Sequence, residues 1–204
     1  MKSYFISGIG TDVGKTVVSA ILCEALKADY WKPIQSGGLE HSDGNEVRRL
    51  ISNPITKFHP EVYLLPEPLS PHAAAERAGI EIDTSRFTLP PVQNTLIIEG
   101  AGGLLVPITR QFLVADLILQ LKVPVVLVSR HYLGSINHTL MSIEILKHRK
   151  IPIAGIVFNG DQNQATEQVI EEQSGCRILG RISPAKNLDH TFISEQAALF
   201  NQLL

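Results

Sequence analysis

The chain has 204 residues, a formal net charge of −2 and two cysteines. This length allows one sizeable hydrophobic core and predicts a single domain over residues 1–204, while the near-neutral charge gives no basis for binding nucleic acid or an anionic membrane. The two cysteines form no disulfide framework, no apolar run reaches the roughly 18 residues of a membrane span, and no signal peptide precedes the first apolar run, which together favour a cytoplasmic protein.

The first elements predict a phosphate-binding loop. The apolar run Tyr4–Ser7 leads into the glycine-rich segment Gly8–Thr16, and an apolar-periodic helix is predicted over Lys15–Leu26. Glycines allow backbone N–H groups to surround phosphate oxygens, and the helix N-terminus adds a partial positive charge. Lys15 is expected to reach the β- and γ-phosphates, and the Thr16 hydroxyl to bind Mg²⁺. The first glycines depart by one residue from the common G-x-x-x-x-G-K-[ST] spacing, so the prediction depends on the strand and helix around the loop.

Apolar runs and amphipathic segments alternate along the rest of the chain. The further predicted strands are Tyr30–Lys32, Thr95–Glu99, Val125–Ser129, Ile153–Asn159 and Ile178–Ile182. The further predicted helices are Asn45–Ile51, Leu113–Leu121, Ile136–His148, Gln164–Gln173 and Ser194–Leu203. The proline-rich segment Pro54–Pro91 is predicted as loops with one short helix, Pro71–Ala78. This order predicts an α/β fold with a doubly wound, mostly parallel sheet covered by helices on both faces.

Charged side chains follow the predicted strands, where ligands bind in such sheets. Lys32 is interpreted either as a fixed cation facing the phosphate loop, with Ser36 as a nearby hydroxyl, or as a lysine that extends to solvent. Asp43 precedes a helix and, taken alone, is favoured as its N-cap over a role as Mg²⁺ ligand. Glu99 ends an apolar strand, where a carboxylate is costly unless paired or metal-bound, and is predicted to bind metal or nucleotide.

Two further strand ends carry weaker signals. Ser135 opens the predicted long helix, so it is either an N-cap or part of a helix start that binds a carboxylate. Asn159-Gly160 follows a buried strand, and its amide is able to pair with a purine edge, although Asn-Gly is also a common turn.

Five motifs in order resemble those of the dethiobiotin synthetase family. They are T-D-V-G-K-T at 11–16, K-P-x-x-S-G at 32–37, E-P-x-S-P-H at 67–72, E-G-A-G-G at 99–103 and L-G-x-I-N-H at 133–138. The resemblance implies a P-loop NTPase-like fold and an ATP- and Mg²⁺-dependent enzyme. Its reaction closes the ureido ring of dethiobiotin from 7,8-diaminononanoate and CO₂, releasing ADP and phosphate.

The resemblance also assigns roles to individual residues. It implies that Lys32 and Lys15 are catalytic and that Thr16, Asp43 and Glu99 hold Mg²⁺, which overturns the cap preference for Asp43. The implied ATP contacts are Asp12, Val13, Gly14, Lys15, Thr16, Val17, Asp43, Glu99, Gly100, Ala101, Gly102, Asn159 and Gly160. The implied substrate contacts are Thr11, Ser36, Ser135, Ile136 and Asn137, the last three from a partner subunit across a homodimer interface.

The sequence departs from the family's motifs at two places, and two alternative functions remain open. The family's Gly-x-Ile-Pro is replaced here by Gly180-Arg181-Ile182-Ser183-Pro184, and Gln35 stands at a position of the pocket rim that is often small. One alternative is another amide- or ring-forming ligase of the phosphate-loop class, against which the chain has no room for a glutaminase domain. The other is a nucleotide switch or partitioning ATPase, which usually carries a signature lysine where Gly10 stands.

Overall fold

The computed structural model describes residues 2–200, which form eleven strands and seven α-helices. The strands are β1 (Ser3–Gly8), β2 (Asp29–Trp31), β3 (Ile34–Ser36), β4 (Phe58–His59), β5 (Tyr63–Leu65), β6 (Leu96–Gly103), β7 (Pro107–Thr109), β8 (Phe112–Leu113), β9 (Val125–Arg130), β10 (Ile153–Asn159) and β11 (Ile178–Ile182). The helices are α1 (Lys15–Leu26), α2 (Asp43–Leu50), α3 (Pro71–Ala78), α4 (Val114–Leu121), α5 (Ser135–His148), α6 (Gln164–Ser174) and α7 (His190–Phe200). Within this part of the chain, no helix is long and apolar enough to cross a membrane.

A seven-stranded sheet in the order β11-β10-β9-β1-β6-β2-β4 forms the centre of the fold. All of its paired strands are parallel. The chain begins in the middle of this sheet, and β1 lies between β6 and β9, so the strand order reverses around β1. Loops that follow parallel strands on either side of such a reversal diverge and leave a crevice at the carboxyl edge of the sheet.

Hydrophobic layers cover both faces of the sheet. Along β1, Phe5 packs into one layer, whereas Tyr4 and Ile6 pack into the other, as the two-residue period of a strand requires. Buried residues of α3, α4, α5 and α6 belong to the first layer, and those of α1, α2 and α7 belong to the second. The predicted α/β fold, doubly wound with helices on both faces, is confirmed.

Most predicted elements are confirmed within two residues at each end. The two exceptions are the end of β6 and the start of α7. Strand β6 continues to Gly103, four residues beyond the predicted end at Glu99, while β2 ends at Trp31 and leaves Lys32 in the following loop. Helix α7 begins at His190 rather than Ser194, because the Asp189 side chain accepts a hydrogen bond from the backbone N–H of Phe192 and caps this end. The last residues of the predicted helix, 201–203, lie outside the described residues.

The segment Pro54–Pro91 is more ordered than predicted. Its one predicted helix, Pro71–Ala78, is confirmed. However, β4 adds an edge strand to the central sheet and β5 pairs with β3 in a small parallel sheet. These strands have two or three residues, which is too short for an alternation of apolar and polar side chains to be recognised in a sequence.

Ser42, rather than Asp43, is the N-cap of α2. The Ser42 hydroxyl accepts a hydrogen bond from the backbone N–H of Asn45 at 3.2 Å, and Asp43 is the first helical residue. The preference for Asp43 as a cap, drawn from the residues alone, was therefore wrong. The carboxylate of Asp43 does not contribute the capping hydrogen bond and is directed elsewhere.

Replacing Ser42 with alanine is expected to reduce the free energy of unfolding by about 1 kcal/mol, because the capping hydrogen bond is lost. Urea unfolding measures this change. Ser70→Ala is the comparison variant, because Ser70 also precedes a helix but its hydroxyl contacts His72 Nδ1 at 3.0 Å instead of capping α3. Equal losses in the two variants would contradict the assignment of Ser42 as a cap.

Candidate active site

A cleft of about 420 Å³ lies at the carboxyl edge of the sheet, beside the ends of β1, β2 and β6. Its lining includes most of the residues predicted from the sequence: Thr11, Asp12, Gly14, Lys15, Thr16, Val17, Lys32, Ser36, Asp43, Glu99, Ala101 and Gly102. Ile34 and Gln35 complete the lining. Residues from four separate parts of the sequence therefore meet in one cavity.

The glycine-rich loop adopts left-handed backbone conformations just before the start of α1. Gly14 has φ 98° and precedes the helix directly, and a Cβ at this position would collide with the Asn159 amide. Asp12 has φ 56°, a left-handed conformation that non-glycine residues rarely adopt. Lys15 is the first helical residue, and its Nζ donates to the Gly10 carbonyl at 3.1 Å. Its ammonium group therefore lies across the loop, as expected for a phosphate-binding lysine.

Two neighbouring strand ends hold this loop in place. Arg130, at the end of β9, donates from Nη1 to the Asp12 carbonyl at 3.2 Å, and Asn159, at the end of β10, donates from Nδ2 to the Val13 carbonyl at 2.9 Å. The Val13 side chain is buried, and its carbonyl oxygen is the atom that Asn159 contacts. Arg130 was not assigned from the sequence, although its position directly after a predicted strand was a usable signal.

Lys32 is the centre of a buried charge network. Its Nζ lies 2.6 Å from Asp43 Oδ2 and 3.2 Å from Glu99 Oε1. The Thr16 hydroxyl donates to Glu99 Oε1 at 2.9 Å and lies 3.2 Å from Asp43 Oδ1. Lys32 is only 4% exposed, so the alternative that it extends to solvent was wrong.

The two lysines of the cleft are shifted in opposite directions. Burial alone would lower the pKa of Lys32, but Glu99 and Asp43 outweigh it and raise this pKa above its usual value. Burial is also the largest influence on Lys15, and there it prevails over the attraction of Glu99, so the pKa of Lys15 is lowered. Lys32 consequently remains a cation at neutral pH and is unable to serve as a general base.

The donor set of the cleft fits Mg²⁺. Thr16, Asp43 and Glu99 bring three hard oxygen ligands together, and Mg²⁺ prefers such ligands while keeping several waters or phosphate oxygens. Over residues 2–200, no group of three or more His, Cys, Asp and Glu residues converges as an all-protein metal cage. The set therefore suits a cation that is bound partly by a nucleotide.

Besides Arg130, Tyr30 and Gln35 of the site were not assigned from the sequence. Tyr30 is buried in β2, and its hydroxyl donates to Glu99 Oε2 at 3.0 Å. Gln35, noted only as a departure at the rim, accepts from the backbone N–H of Asp43 through Oε1 and donates from Nε2 to the Gly37 carbonyl. Tyr30 lies two residues before Lys32, a spacing that places both on one face of an extended chain, and this was the available signal.

Several predicted site residues lie outside this cleft. Gly100 packs in β6, where a Cβ would collide with the Phe5 ring, and the Gly160 N–H donates to the Ile182 carbonyl.

Ser36, in contrast, lines the cleft, and within the described residues its buried hydroxyl has no hydrogen-bond partner. This leaves the Ser36 hydroxyl available to a ligand in the cleft.

The start of α5 lines two other cavities. A mainly apolar cleft of about 750 Å³ extends from Thr11 to Asn137, and Ile136 and Asn137 both line another cavity of about 790 Å³. Gly134 is the N-cap of α5, and Ser135 is its buried first residue, so the interpretation of Ser135 as N-cap was wrong.

Sequence relatives cover the chain almost from end to end. Residues 2–191 match a family described as an AAA domain. The ATP-dependent dethiobiotin synthetase of Christiangramia forsetii is 51% identical over 203 residues, covering 100% of this chain and 98% of the relative. The enzyme of the same name from Cytophaga hutchinsonii is 49% identical over 198 residues, covering 97% and 96%.

Solved structures with the same fold are more distant in sequence. The cell division ATPase MinD of Pyrococcus furiosus has a TM-score of 0.59 and 16% identity, covering 100% of this chain and 99% of that chain. A putative plasmid partition protein of Borrelia burgdorferi has a TM-score of 0.58 and 11% identity, covering 99% and 97%. These likenesses show the P-loop fold alone, whereas the much higher identity above shows the family: the chain belongs to the ATP-dependent dethiobiotin synthetases.

Proposed function

We propose that this protein is a dethiobiotin synthase, which uses ATP and Mg²⁺ to join CO₂ to 7,8-diaminononanoate and close the ureido ring of dethiobiotin. The observation that carries this proposal is the convergence of Lys15, Lys32, Thr16, Asp43 and Glu99 in one cleft. We place residues 1–204 in one catalytic domain and the enzyme in the cytoplasm, where ATP is available.

The phosphate loop is proposed to bind the ATP phosphates. Backbone N–H groups at the start of α1 and the Lys15 ammonium offset the phosphate charge. Thr16, Asp43 and Glu99 would hold Mg²⁺, which supplies charge neutralisation to the transferred phosphoryl group when it is bound. Asn159, next to the loop, is proposed to reach the adenine edge with the amide atoms that Val13 does not engage.

Lys32 is proposed to guide the substrate amines. An amine must be neutral to attack CO₂, and a nearby ammonium lowers the pKa of that amine. The attack forms a carbamate and releases a proton, and Lys32 and Lys15 hold the carbamate anion beside the γ-phosphate. Glu99 and Asp43 raise the pKa of Lys32, so the substrate amines approach a lysine that is charged.

Two bond changes complete the reaction. A carbamate oxygen attacks the γ-phosphorus in line, and ADP leaves with the electrons of the broken P–O bond. The second amine then attacks the carbonyl carbon of the mixed anhydride and releases a proton, the C–O bond to the phosphate breaks, and phosphate leaves with the electrons of that bond as the ring closes. Ser36, whose hydroxyl is unpaired within the described residues, is proposed to orient the amine end of the substrate.

The far end of the substrate requires a separate anion site, because a carboxylate lies several carbons from the diamine. We propose that Ser135, Ile136 and Asn137 of the partner subunit bind this carboxylate, and that the apolar cleft lined by Thr11 receives the carbon chain. Leu105 and Met141 of this cleft are each more than half exposed, which supports a homodimer that covers this face.

One assay tests the proposed function. ATP hydrolysis by the purified protein is measured with and without diaminononanoate and bicarbonate. We expect ADP release only when both are present, together with stoichiometric dethiobiotin. ATP hydrolysis at the same rate with and without these two compounds would favour a nucleotide switch. ATP hydrolysis that depends on a different amine or carboxylate would favour another ligase of this class.

Asn137→Leu is expected to weaken diaminononanoate binding while nucleotide affinity stays nearly constant. The variant removes a polar contact to the carboxylate, a charge-assisted hydrogen bond worth roughly 1.5–3 kcal/mol. Titration calorimetry with a nonhydrolysable ATP analogue measures both affinities. Gln168→Leu, at an exposed position of α6, is the matched control and should leave both unchanged.

Subunit mixing then tests whether the site is shared. If Asn137 serves the partner's cleft, mixing Asn137→Leu with Lys15→Gln creates dimers with one intact site and one doubly altered site. Random exchange of equal amounts should restore about a quarter of wild-type activity, because half of the dimers are mixed and each has one intact site of two. No recovery after demonstrated exchange would show that each chain builds its site alone.

A further inference from the structure

The two oxygens of the Glu99 carboxylate have different surroundings. Oε1 accepts from Thr16 and Lys32 and faces the cleft. Oε2 accepts from the Tyr30 hydroxyl at 3.0 Å, inside the wall of the sheet. Glu99 is 1% exposed and Tyr30 is 2% exposed, so solvent does not compete for this hydrogen bond. Oε1 is therefore the oxygen that lies among the cleft residues Thr16 and Lys32, whereas Oε2 is held by Tyr30 on the side of the sheet.

The sheet fixes the position of the Tyr30 hydroxyl. Strands β2 and β6 are parallel neighbours, with Tyr30 opposite Ile97, so Glu99 lies two residues further along β6 on the same face. The Tyr30 ring packs against Phe58 with ring centroids 5.6 Å apart. A buried ring held by its neighbours has little freedom, and its hydroxyl consequently restricts the rotation of the Glu99 carboxylate.

We propose that Tyr30 is a positioning residue that makes Glu99 a single-oxygen ligand and thereby favours Mg²⁺ over Ca²⁺. This inference rests on the metal site of the proposed function. Mg²⁺ requires near-ideal octahedral geometry at short distances, whereas Ca²⁺ accepts more ligands and readily binds both oxygens of one carboxylate. By engaging Oε2, the Tyr30 hydroxyl opposes the two-oxygen mode that Ca²⁺ uses.

Tyr30→Phe tests the proposal because it keeps the ring and removes only the hydroxyl. The affinities for Mg²⁺ and Ca²⁺ are measured in the presence of a nonhydrolysable ATP analogue. Each metal competes with Mn²⁺, and electron paramagnetic resonance monitors how much Mn²⁺ is displaced. We expect Mg²⁺ affinity to fall about tenfold, as is typical when a residue behind a metal ligand is removed. Ca²⁺ affinity should stay constant or rise, so the Mg²⁺/Ca²⁺ ratio falls.

Tyr63→Phe is the matched control. The Tyr63 hydroxyl also forms hydrogen bonds, partly buried ones to the backbone of Asp83, and its ring packs on Phe87, but Tyr63 does not line the cleft. Its Mg²⁺/Ca²⁺ ratio should match that of the wild type. An unchanged ratio in Tyr30→Phe, or equal weakening of both metals, would overturn the proposal.

A measurement on the wild-type protein tests the proposal even if the Tyr30→Phe variant does not fold. In a crystal structure with Mg²⁺ and the ATP analogue, Tyr30 should remain on Oε2 while the metal contacts only Oε1 of Glu99. Two-oxygen ligation by Glu99 would contradict the inference. None of these measurements involves diaminononanoate, so they distinguish a failure of this inference from a failure of the proposed reaction.

Discussion

Lys15→Gln is expected to lower the rate of dethiobiotin formation more than about a hundredfold, the scale of loss when one preorganised transition-state donor is removed. Lys15 lies at the start of α1, and its ammonium bridges the glycine-rich loop through the Gly10 carbonyl. Glutamine keeps a hydrogen-bond donor of similar length but has no charge to offset that on the transferred phosphoryl group. Single-turnover kinetics with saturating substrates measures the loss.

The fold should survive this substitution. Glutamine and lysine have similar helix propensities, and Lys15 contributes to the loop rather than to either hydrophobic layer. Lys27→Gln is the matched control, since it makes the same chemical change at the exposed opposite end of α1. Near-normal turnover by Lys15→Gln, with an unchanged melting temperature, would refute the assignment of the loop as the phosphate site.

The phosphate loop could be predicted from the sequence because its determinants are local. A strand, a run of glycines and a helix start follow one another within sixteen residues. Their backbone N–H groups form the phosphate site without contributions from distant parts of the chain. The wider fold was equally accessible, since apolar runs such as Val125–Ser129 alternate with amphipathic segments along the chain. Only β3, β4, β5, β7 and β8, each of two or three residues, gave no periodic signal.

The contacts within the site could not be predicted, because they join distant parts of the chain. Sequence indicated Lys32 and Glu99 separately, but their 3.2 Å ion pair spans 67 positions and depends on β2 and β6 being neighbours. Tyr30 looked like an ordinary strand residue until this neighbour placed a carboxylate at its hydroxyl. Asp43 was misjudged locally for the same reason, since its partner Lys32 belongs to another loop.

Glu99→Gln is expected to raise the Mg²⁺ concentration for half-maximal activity at least about tenfold, or to abolish activity. Removal of a residue behind a metal ligand typically costs 10–100-fold in affinity, and loss of a direct charged ligand should cost no less. The substitution keeps the shape of the side chain while removing its negative charge. Activity titrated with Mg²⁺ at fixed total ATP, beside Glu171→Gln as an exposed control, measures the shift.

Asp43→Asn separates a metal role from a structural one. The Asp43 side chain is 36% exposed, Ser42 supplies the cap of α2, and Lys32 keeps Glu99 as an ion-pair partner, so the substitution should cost little stability. Its carboxylate nevertheless lies beside Thr16 and Lys32. At this position a carboxylate neutralises part of the charge of a bound Mg²⁺, whereas an asparagine amide does not. We therefore expect the Mg²⁺ requirement to rise as in Glu99→Gln while the melting temperature stays near that of the wild type. A lower melting temperature with an unchanged Mg²⁺ requirement would show that Asp43 stabilises Lys32 and the start of α2 instead of binding metal.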